Sequence, residues 1–468
     1  MDIDPKIFKA YDIRGIYPDQ INEEAIASIA KAAYTFFKNK LQKDGQITVV
    51  MGYDMRTSSP SLFPAAKQAF IEMGAHVIDV GLISTPSFYF SVFHYGFDAG
   101  FQVTASHNPK EYNGAKFVLN SPQGLIKIGK STGMEDVKTM AIEGKFADPV
   151  PGGVEEKKEG ILQDEVTTAL KILDNPTISK FKIVADTANA MGAQYIQALF
   201  EKVPAELIKM NFEFDGTFPA HQPDPLNFDN LKDLQKKVLE EKADFGLAPD
   251  GDGDRLFFID DLGRVIQASI ITSIIAKEFL KKHPGATILF DIRYILSARK
   301  IIEENGGKSD ITKVGHAFIT EAMHKTGAVF AGESSAHYFY KDTGNGENQL
   351  MTILTVLKVM SQENKKLSEL VEEYTRAYES TEFNFRVTNA PEILSALKEK
   401  YNDGELSELD GVSVTYPEWR FNVRTSNTEP LLRLNVESYK KDEMELRRDE
   451  LIAFIKSVAK EDANSPHH

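Results

Sequence analysis

The sequence of 468 residues contains no cysteine. Disulfide bonds, thiolate metal sites and a cysteine nucleophile are therefore excluded, and this absence fits a cytoplasmic location. No apolar run approaches the roughly 18 residues that a membrane-spanning helix needs, and the first residues, MDIDPKIFKAYDIRG, lack the apolar centre of a signal peptide. We therefore expect a cytoplasmic protein with no membrane partner.

Positive charge is also scarce, because 54 Lys and Arg residues face 69 Asp and Glu residues and give a formal net charge of -15. A protein that binds nucleic acid needs a basic surface, so a nucleic-acid partner is not expected. An anionic small molecule would need a locally basic cleft in this acidic protein. The hydrophobic content of 42% is typical of a globular protein, and the length predicts several domains.

Helical and strand patterns alternate along the chain, which predicts α/β layers with largely parallel sheets. Three apolar runs each lead into an aspartate and further polar residues: ITVVMGYD ends at Asp54, KIVAD at Asp186 and TILFD at Asp291. Ligand sites of α/β proteins lie at such strand ends. This threefold echo favours three related domains, although an apolar strand before an aspartate is also common by chance.

Segments rich in proline, glycine and charge suggest where these domains end. The stretch 147–160, ADPVPGGVEEKKEG, separates the first domain from the second. We predict α/β domains at 1–150, 151–256 and 257–378, followed by a smaller C-terminal α+β domain at 379–468.

The sharpest local pattern is Asp250-Gly251-Asp252-Gly253-Asp254, in which three carboxylates alternate with glycines. In an extended strand the three carboxylates would share one side, and the glycines would let the backbone approach an ion closely. Clustered carboxylates repel each other unless a hard cation neutralises them. The segment therefore predicts a divalent metal site.

An EF-hand calcium loop also alternates acidic residues. Its sixth position is glycine and its twelfth glutamate, whereas this sequence has Arg255 and Asp261 there. Three protein oxygens leave coordination room for a phosphate oxygen, which suits Mg²⁺. The alternative to a metal site is a solvated acidic turn.

A second motif, TASHNP at 104–109, follows a short strand pattern. It places Ser106 beside His107, and Lys116 follows in the same segment. A serine hydroxyl needs a polarising partner to act as a nucleophile, and a lysine would stabilise charge on a phosphoryl group. Taken alone, this serine is more typical of a turn or a helix N-cap.

Several further segments carry polar groups that suit a phosphate or a vicinal diol. The loop RTSNTEP offers a guanidinium, hydroxyls and an amide to a phosphate dianion, and GESSAH places a carboxylate two residues from a hydroxyl. The candidates in these and neighbouring segments are Arg14, His316, Glu333, Ser335, His337, Arg424, Ser426, Asn427 and Thr428. Each has an ordinary alternative, such as a capped turn, a structural histidine or, for Arg14, an ion pair with Asp12.

In their order along the chain, the motifs FKAYDIRG, TASHNPKEYNGAKF, APDGDGDR, GHAFITEAM, GESSAHYF and RTSNTEP resemble the α-D-phosphohexomutase family, and within it the bacterial phosphomannomutase/phosphoglucomutase type. The resemblance covers essentially the whole chain. It implies three mixed α/β domains and a smaller α+β domain, arranged as a heart around a central cleft. It also implies that a phosphosugar substrate (of mannose, glucose or both) exchanges a phosphoryl group between C1 and C6 through phosphorylated Ser106. A hexose 1,6-bisphosphate would be both intermediate and activator.

The resemblance further implies roles for the candidate residues. Asp250, Asp252 and Asp254 would bind Mg²⁺ together with the phosphate on Ser106. The residues implied around the transferred phosphoryl group are Arg14, His107 and Lys116, with Lys116 and His316 as candidates for proton transfer and His337 near the reacting end. The residues implied in substrate binding are Arg255 (also a support of the metal loop), Arg293, Glu333 and Ser335 on the sugar's O3 and O4, and Arg424, Ser426, Asn427 and Thr428 on the phosphate that is not transferred.

Two positions depart from the family's pattern, since Ala336 stands where glycine is frequent and Arg293 where lysine is common. Arginine keeps the positive charge but changes the geometry, so the resemblance defines the reaction more narrowly than the sugar. The alternatives are a phosphoglucosamine mutase, a phosphatase that uses a phosphoserine, and a non-catalytic phosphosugar-binding protein. We expect a monomer.

Overall fold

The computed structural model describes residues 3–426 and 431–460. Within these residues the chain forms four successive β-sheets with helices packed against them. Three short 3₁₀ helices occupy Pro5–Ile7, Phe228–Leu231 and Lys341–Thr343. Among the described helices, none is both long and apolar enough to cross a membrane.

The first sheet has seven strands, of which β2 lies parallel to β3 and β4 while β5 is antiparallel to β4. The strands are β1 (Ile13–Ile16), β2 (Thr48–Tyr53), β3 (His76–Leu82), β4 (Ala99–Val103), β5 (Tyr112–Ser121), β6 (Gly124–Lys127) and β7 (Val154–Lys157). The helices are α1 (Glu23–Leu41), α2 (Ser59–Glu72), α3 (Thr85–His94) and α4 (Met134–Glu143). The strand order is β1-β5-β4-β2-β3-β7, and β6 pairs with β5.

The second sheet has the strand order β11-β10-β8-β9. Its elements are α5 (Ile161–Ile172), β8 (Phe181–Asp186), α6 (Gly192–Phe200), β9 (Ala205–Met210), α7 (Lys232–Glu241), β10 (Phe245–Pro249) and β11 (Leu256–Asp260). The hairpin of β10 and β11 is antiparallel, and the other pairs are parallel.

The third sheet has the strand order β13-β12-β14-β15-β16. Its strands are β12 (Thr287–Asp291), β13 (Lys308–Thr312), β14 (Phe330–Gly332), β15 (Tyr338–Tyr340) and β16 (Gly346–Glu347). The helices are α8 (Ala268–Lys282), α9 (Leu296–Glu304), α10 (His316–Thr326), α11 (Gln349–Glu363) and α12 (Leu367–Tyr374).

The fourth sheet is antiparallel, with the order β17-β22-β21-β20-β19 and with β18 paired to β22. Its strands are β17 (Tyr378–Glu379), β18 (Phe383–Phe385), β19 (Glu405–Ser407), β20 (Val412–Thr415), β21 (Trp419–Thr425) and β22 (Leu432–Ser438). The helices α13 (Ala390–Lys400) and α14 (Lys441–Val458) accompany it. The predicted class, three α/β domains and a smaller α+β domain, is confirmed.

The first three sheets share one four-strand arrangement: β3-β2-β4-β5, β9-β8-β10-β11 and β13-β12-β14-β15. In each, three parallel strands are followed by one antiparallel strand. Asp54, Asp186 and Asp291 lie at the end of the equivalent strand, and each accepts a hydrogen bond from the backbone N–H two residues later, at 3.1, 3.0 and 2.8 Å. The threefold echo in the sequence therefore reflects a repeated structure.

The central strands are apolar because helices cover both faces of these sheets. All residues of β4, β10 and β14 are buried. Helix α1 illustrates how the covering helices begin, since the Asn22 side chain accepts a hydrogen bond from the backbone N–H of Ala25 at 3.0 Å and caps the first turn.

Two of the predicted domain boundaries, after residues 150 and 256, lie before the end of the last strand of the corresponding sheet. Strand β7 at residues 154–157 pairs with β3 in the first sheet, and β11 at 256–260 pairs with β10 in the second. The segment around β7 was predicted as a linker because its composition is rich in charge and glycine, and every residue of this edge strand is exposed. The exact domain ranges otherwise stay a prediction.

Candidate active site

Three loops in equivalent positions of the three related sheets meet at one place. They connect β4 to β5, β10 to β11, and β14 to β15, and they carry the serine motif, the aspartate motif and the GESSAH motif respectively. The Ser106 hydroxyl lies 3.2 Å from Asp250, and His337 lies 3.2 Å from Asp254. The repeated fold thus brings together three segments that are far apart in the sequence.

Ser106 is held in an unusual backbone conformation. Its φ of 52° lies in the left-handed region, which is unfavourable for a residue with a side chain. Its N–H donates to the Thr104 hydroxyl at 3.0 Å, and its Oγ lies 3.2 Å from both Asp250 Oδ2 and His107 Nδ1. Such strain at a buried polar residue is typical of functional sites.

The three aspartates of the second motif converge as predicted, but not through a strand. Residues 250–255 form a turn between β10 and β11 in which Gly253 has a φ of 79°, so the expectation of an extended strand with period two is wrong. The turn brings one carboxylate oxygen from each of Asp250, Asp252 and Asp254 within 4.8 Å of the others. The glycines of the motif therefore act by permitting the turn.

Lys116 supplies positive charge to this acidic cluster. Its ammonium donates to Asp252 and Asp254, both at 2.6 Å. Burial alone would lower the pKa of Lys116, but these two carboxylates raise it well above its usual value. The same interaction with Lys116 holds the pKa of Asp254 well below its usual range despite burial.

Asp250 has no lysine or arginine ion-pair partner among the described residues, and its ion-pair candidate there is His107, at 4.0 Å. Burial, followed by repulsion from Asp254 and Asp252, raises the pKa of Asp250 well above its usual value. In addition, Asp252 Oδ1 is buried and has no hydrogen-bond partner among the described residues. Bringing the three carboxylates together is therefore opposed by their mutual repulsion, which falls mainly on Asp250.

Arg14 contacts the serine loop, and His107 is part of that loop. Arg14 pairs with Asp12 at 2.7 Å and also donates to the Asn108 side chain, so the ion pair considered from the sequence coexists with a contact to this loop. Burial, followed by the neighbouring cations Arg255 and Arg14, lowers the pKa of His107 well below its usual value. A neutral His107 can therefore share a proton with Ser106 across their 3.2 Å contact.

The GESSAH loop links the aspartate cluster to the third domain. His337 contacts Glu333 at 2.8 Å and Ser335 at 3.1 Å through Nδ1, and Asp254 through Nε2. Burial opposes protonation, but Asp254 and Glu333 outweigh it and raise the pKa of His337 to about 9. Glu333 also accepts the Gly315 N–H at 2.9 Å, which fixes the start of α10.

His316 and Arg255 retain buried polar atoms that make no hydrogen bond to the described residues. His316 begins α10, its ring lies 5.3 Å from that of Tyr11, and its Nδ1 is buried without a hydrogen-bond partner among the described residues. Burial, followed by Lys127 and Lys116, lowers the pKa of His316 well below its usual value. Arg255 lies 3.7 Å from Asp224, and its Nε and Nη1 are likewise buried without a hydrogen bond in the described part of the chain.

The predicted phosphate-binding residues lie in and near the fourth domain. Arg424 is buried on β21 and lies 3.5 Å from Glu382, and the Ser426 N–H donates to the Leu431 carbonyl at 2.8 Å. Asn427 and Thr428 lie outside the described residues. Arg293 connects this region to the GESSAH loop, since it contacts Glu382 at 3.9 Å and Ser335 at 3.3 Å.

A chain of charged contacts therefore runs from the fourth domain to Lys116 on β5 of the first domain. Its members are Arg424, Glu382, Arg293, Glu333, His337, Asp254 and Lys116. The structure thus joins predicted residues from all four domains within one polar network. It does not bring Arg424 or Ser426 into direct contact with Ser106.

Arg56 is a site residue that none of the sequence motifs predicted. This fully buried arginine donates to the carbonyls of Ser106, Asn108, Pro109 and Tyr112 at 2.6 to 2.9 Å. It thereby holds the serine loop in shape. The signal was the threefold echo, because Arg56 follows Asp54 as Arg293 follows Asp291.

Four family models match successive segments of this sequence. They are the models for the phosphoglucomutase/phosphomannomutase alpha/beta/alpha domain I at residues 5–136, domain II at 163–263, domain III at 268–378 and the C-terminal domain at 382–454. The four matches follow one another along the chain and cover most of it.

Full-length relatives and solved structures agree with these matches. A phosphomannomutase of Escherichia coli is 35% identical over 461 residues, which cover 96% of this chain and 99% of the relative. One of Methanocaldococcus jannaschii is 37% identical over 466 residues, covering 98% and 99%. A phosphoglucomutase/phosphomannomutase family protein of Burkholderia thailandensis has a TM-score of 0.87 at 28% identity, covering 98% and 99%. The chain therefore belongs to the phosphoglucomutase/phosphomannomutase family, and it is a phosphohexomutase.

Proposed function

We propose that this phosphohexomutase interconverts the 1-phosphates and 6-phosphates of mannose, glucose or both through phosphorylated Ser106 and a hexose 1,6-bisphosphate. The observation that carries the proposal is the Ser106 hydroxyl, 3.2 Å from Asp250, at the edge of a buried acidic cluster that also contains Lys116. Both relatives described above are phosphomannomutases, which favours these sugars over the phosphoglucosamine alternative.

The acidic cluster fits a divalent cation. Its three carboxylates are buried and close together, and the unpartnered Oδ1 of Asp252 leaves a ligand atom available. Oxygen ligands that leave positions for a phosphate oxygen suit Mg²⁺. Asp250, Asp252, Asp254 and a phosphate on Ser106 would hold the ion, which when bound would neutralise charge on the phosphoryl oxygens.

In the first half of the reaction, the bond from Ser106 Oγ to phosphorus breaks as a hydroxyl of the hexose monophosphate forms a new bond to phosphorus. The Ser106 oxygen leaves with the electron pair of the broken bond and takes up a proton, which regenerates the serine hydroxyl. The sugar hydroxyl gives up its proton to a base of the protein. His316 is suited to this because its lowered pKa keeps it neutral at physiological pH. Arg14 and Lys116 balance the charge of the loose transition state.

The remaining groups hold the substrate while its two ends exchange places. Glu333 and Ser335 offer a carboxylate and a hydroxyl to the vicinal hydroxyls of the sugar, and Arg424 with the RTSNTEP loop holds the phosphate that is not transferred. The resulting bisphosphate turns around and returns its other phosphoryl group to Ser106. Because Ser106 and Lys116 are only 2% and 3% exposed, water has little access and transfer to the sugar prevails over hydrolysis.

The test is ³¹P NMR of the protein with Mg²⁺ and a catalytic amount of glucose 1,6-bisphosphate. Mannose 1-phosphate, glucose 1-phosphate and glucosamine 1-phosphate are supplied in parallel tubes. We expect the 6-phosphate resonance to grow with mannose or glucose and to stay absent with a Ser106→Ala variant. Release of free phosphate would identify a phosphatase instead, and turnover of glucosamine 1-phosphate alone would overturn the sugar assignment.

A further inference from the structure

Glu382 lies between β17 and β18 at the start of the fourth domain, and it contacts three arginines. Its Oε1 is 3.2 Å from Arg433 Nη1, and its Oε2 is 3.5 Å from Arg424 Nη2 and 3.9 Å from Arg293 Nη1. These arginines come from two domains. One carboxylate therefore occupies the centre of a cationic cluster.

This carboxylate does not saturate the hydrogen-bonding capacity of Arg424. The guanidinium is 2% exposed, and its Nε is buried with no hydrogen-bond partner among the described residues. Burial, followed by the nearby Arg293, lowers the pKa of Arg424. Arg293 is better neutralised, because Asp291 lies 3.0 Å away and Glu333 3.4 Å away. The environment of Arg424 thus favours an additional anion.

We propose that Glu382 is a built-in competitor for the substrate phosphate at Arg424, and that it moves aside when a phosphosugar binds. This rests on the proposed function, which assigns Arg424 to the phosphate that is not transferred. A phosphate dianion offers more oxygens and more charge than one carboxylate, so it can displace Glu382. The Glu382 side chain is 23% exposed, which leaves it room to move.

The competition has a purpose in this reaction. The bisphosphate intermediate has to leave the arginines, turn around and rebind through its other end in every cycle. A phosphate that is held too tightly would slow its release and rebinding. Tighter binding of every bound state lowers KM without raising kcat. Glu382 would weaken the hold on phosphate and return the arginines to a neutralised state after release.

The test compares Glu382→Gln with wild-type protein in binding of inorganic phosphate, followed by thermal shift titration, and in turnover of mannose 1-phosphate. We expect the variant to bind phosphate about threefold or more tightly, with a lower KM and a lower kcat. Glu382→Asp keeps the charge and is expected to resemble wild type. Unchanged or weaker phosphate binding in Glu382→Gln would overturn the inference.

Two further variants separate this inference from the proposed function. Glu418→Gln removes the same charge from the same domain at a site paired with Lys440 at 3.2 Å, and it is expected to leave phosphate binding unchanged. Arg424→Met is expected to abolish phosphate binding at this cluster. If Arg424→Met binds phosphate as wild type does, the phosphate site itself fails and the inference with it. If Arg424→Met weakens phosphate binding while Glu382→Gln leaves it unchanged, the role of Glu382 is refuted but the phosphate site is not.

Discussion

Arg56 shows how one side chain can determine the shape of a catalytic loop. Its guanidinium donates to four carbonyls between residues 106 and 112 and lies 3.2 Å from the buried Asp54. These bonds act on Ser106 without touching the substrate, so Arg56 is a positioning residue. A buried charge that loses its partner is strongly destabilising.

We predict that Arg56→Met lowers the free energy of unfolding by about 3 to 5 kcal/mol, because Asp54 and the carbonyls lose their partner. It should also lower kcat more than it changes KM, since the loop that carries Ser106 loses its shape. Thermal unfolding and steady-state kinetics measure the two effects. The matched control is Arg448→Met, whose ion pair with Asp449 lies at the surface; a loss of kcat as large in the control would refute the positioning role.

The backbone conformation at Ala336 explains why glycine is frequent at this position in the family. Its φ of 66° lies in the left-handed region, where glycine is unstrained. We predict that Ala336→Gly changes stability by less than about 1 kcal/mol, because relief of backbone strain offsets the lost methyl group. Ala336→Val should destabilise by about 2 kcal/mol or more, because a β-branched residue fits neither this conformation nor the packed site. Chemical denaturation of both variants checks this, and equal stabilities would contradict it.

At the scale of elements, Glu165 on α5 joins segments of three domains. It accepts hydrogen bonds from the Ser87 hydroxyl of α3 at 2.6 Å and from Asn348, the N-cap of α11, at 3.1 Å. Burial raises the pKa of Glu165 from its ordinary value of 4.5 to about 7, although these hydrogen bonds oppose the shift. The folded state therefore binds the proton more tightly than the unfolded state does.

This shift has a defined effect on stability. The contribution of protonated Glu165 is fully present below about pH 4.5 and is lost as pH rises through about 7. We predict that Glu165→Gln becomes progressively more stable than wild type between pH 4.5 and 8, as read from apparent melting temperatures. The exposed Glu159→Gln serves as control. A difference between Glu165→Gln and wild type that does not vary with pH would contradict the prediction.

The sequence predicted most of the elements around the site but not how the site is assembled. Residues 23–37 carry apolar side chains at helical spacing and lie in α1, which extends to Leu41, and the apolar run ITVVM at 47–51 overlaps β2 at 48–53. Apolar periodicity is local, so it reveals such elements. The left-handed φ of Ser106 belongs to a loop held by Arg56, 50 residues away in the sequence, and the turn at 250–255 contacts Thr85 of the first domain. Apolar periodicity could not reveal such distant contacts.

The residues that tie domains together were also not predictable. Arg420 and Glu437 are fully buried and stand 17 residues apart in the sequence, in segments that read as ordinary strands. Their function depends on a partner from the third domain, which no local pattern identifies. By contrast, Ser106 and the three aspartates belong to short motifs, and the residue types and spacing of these motifs are enough to predict their chemistry.

At the scale of the whole molecule, a buried ion pair of the fourth domain, between Arg420 and Glu437, makes hydrogen bonds to the third domain. Arg420 contacts Glu437 at 2.6 Å and donates to the carbonyls of Ile292 and Arg293 at 2.9 and 3.1 Å. Glu437 in turn accepts the N–H groups of Ile295 and Leu296, at the start of α9. The phosphate-binding Arg424 lies on the same strand as Arg420.

We predict that Arg420→Met raises KM for the phosphosugar by more than it lowers kcat, because the fourth domain loses its anchor while the Ser106 cluster remains intact. The apparent melting temperature should fall as well, since Glu437 is left buried without its partner. Steady-state kinetics and thermal unfolding measure these effects. Arg386→Met changes an exposed arginine of the same domain and should have neither effect. A loss confined to kcat in Arg420→Met would contradict this account of the interface.

The most direct test of the central claim is to locate phosphate on the protein by mass spectrometry after incubation with glucose 1,6-bisphosphate and Mg²⁺. We predict one added phosphoryl group on Ser106, its transfer to glucose 6-phosphate or mannose 6-phosphate when that sugar is added, and no phosphorylation of Ser106→Ala. Phosphate on another residue, or full turnover by Ser106→Ala, would contradict the account.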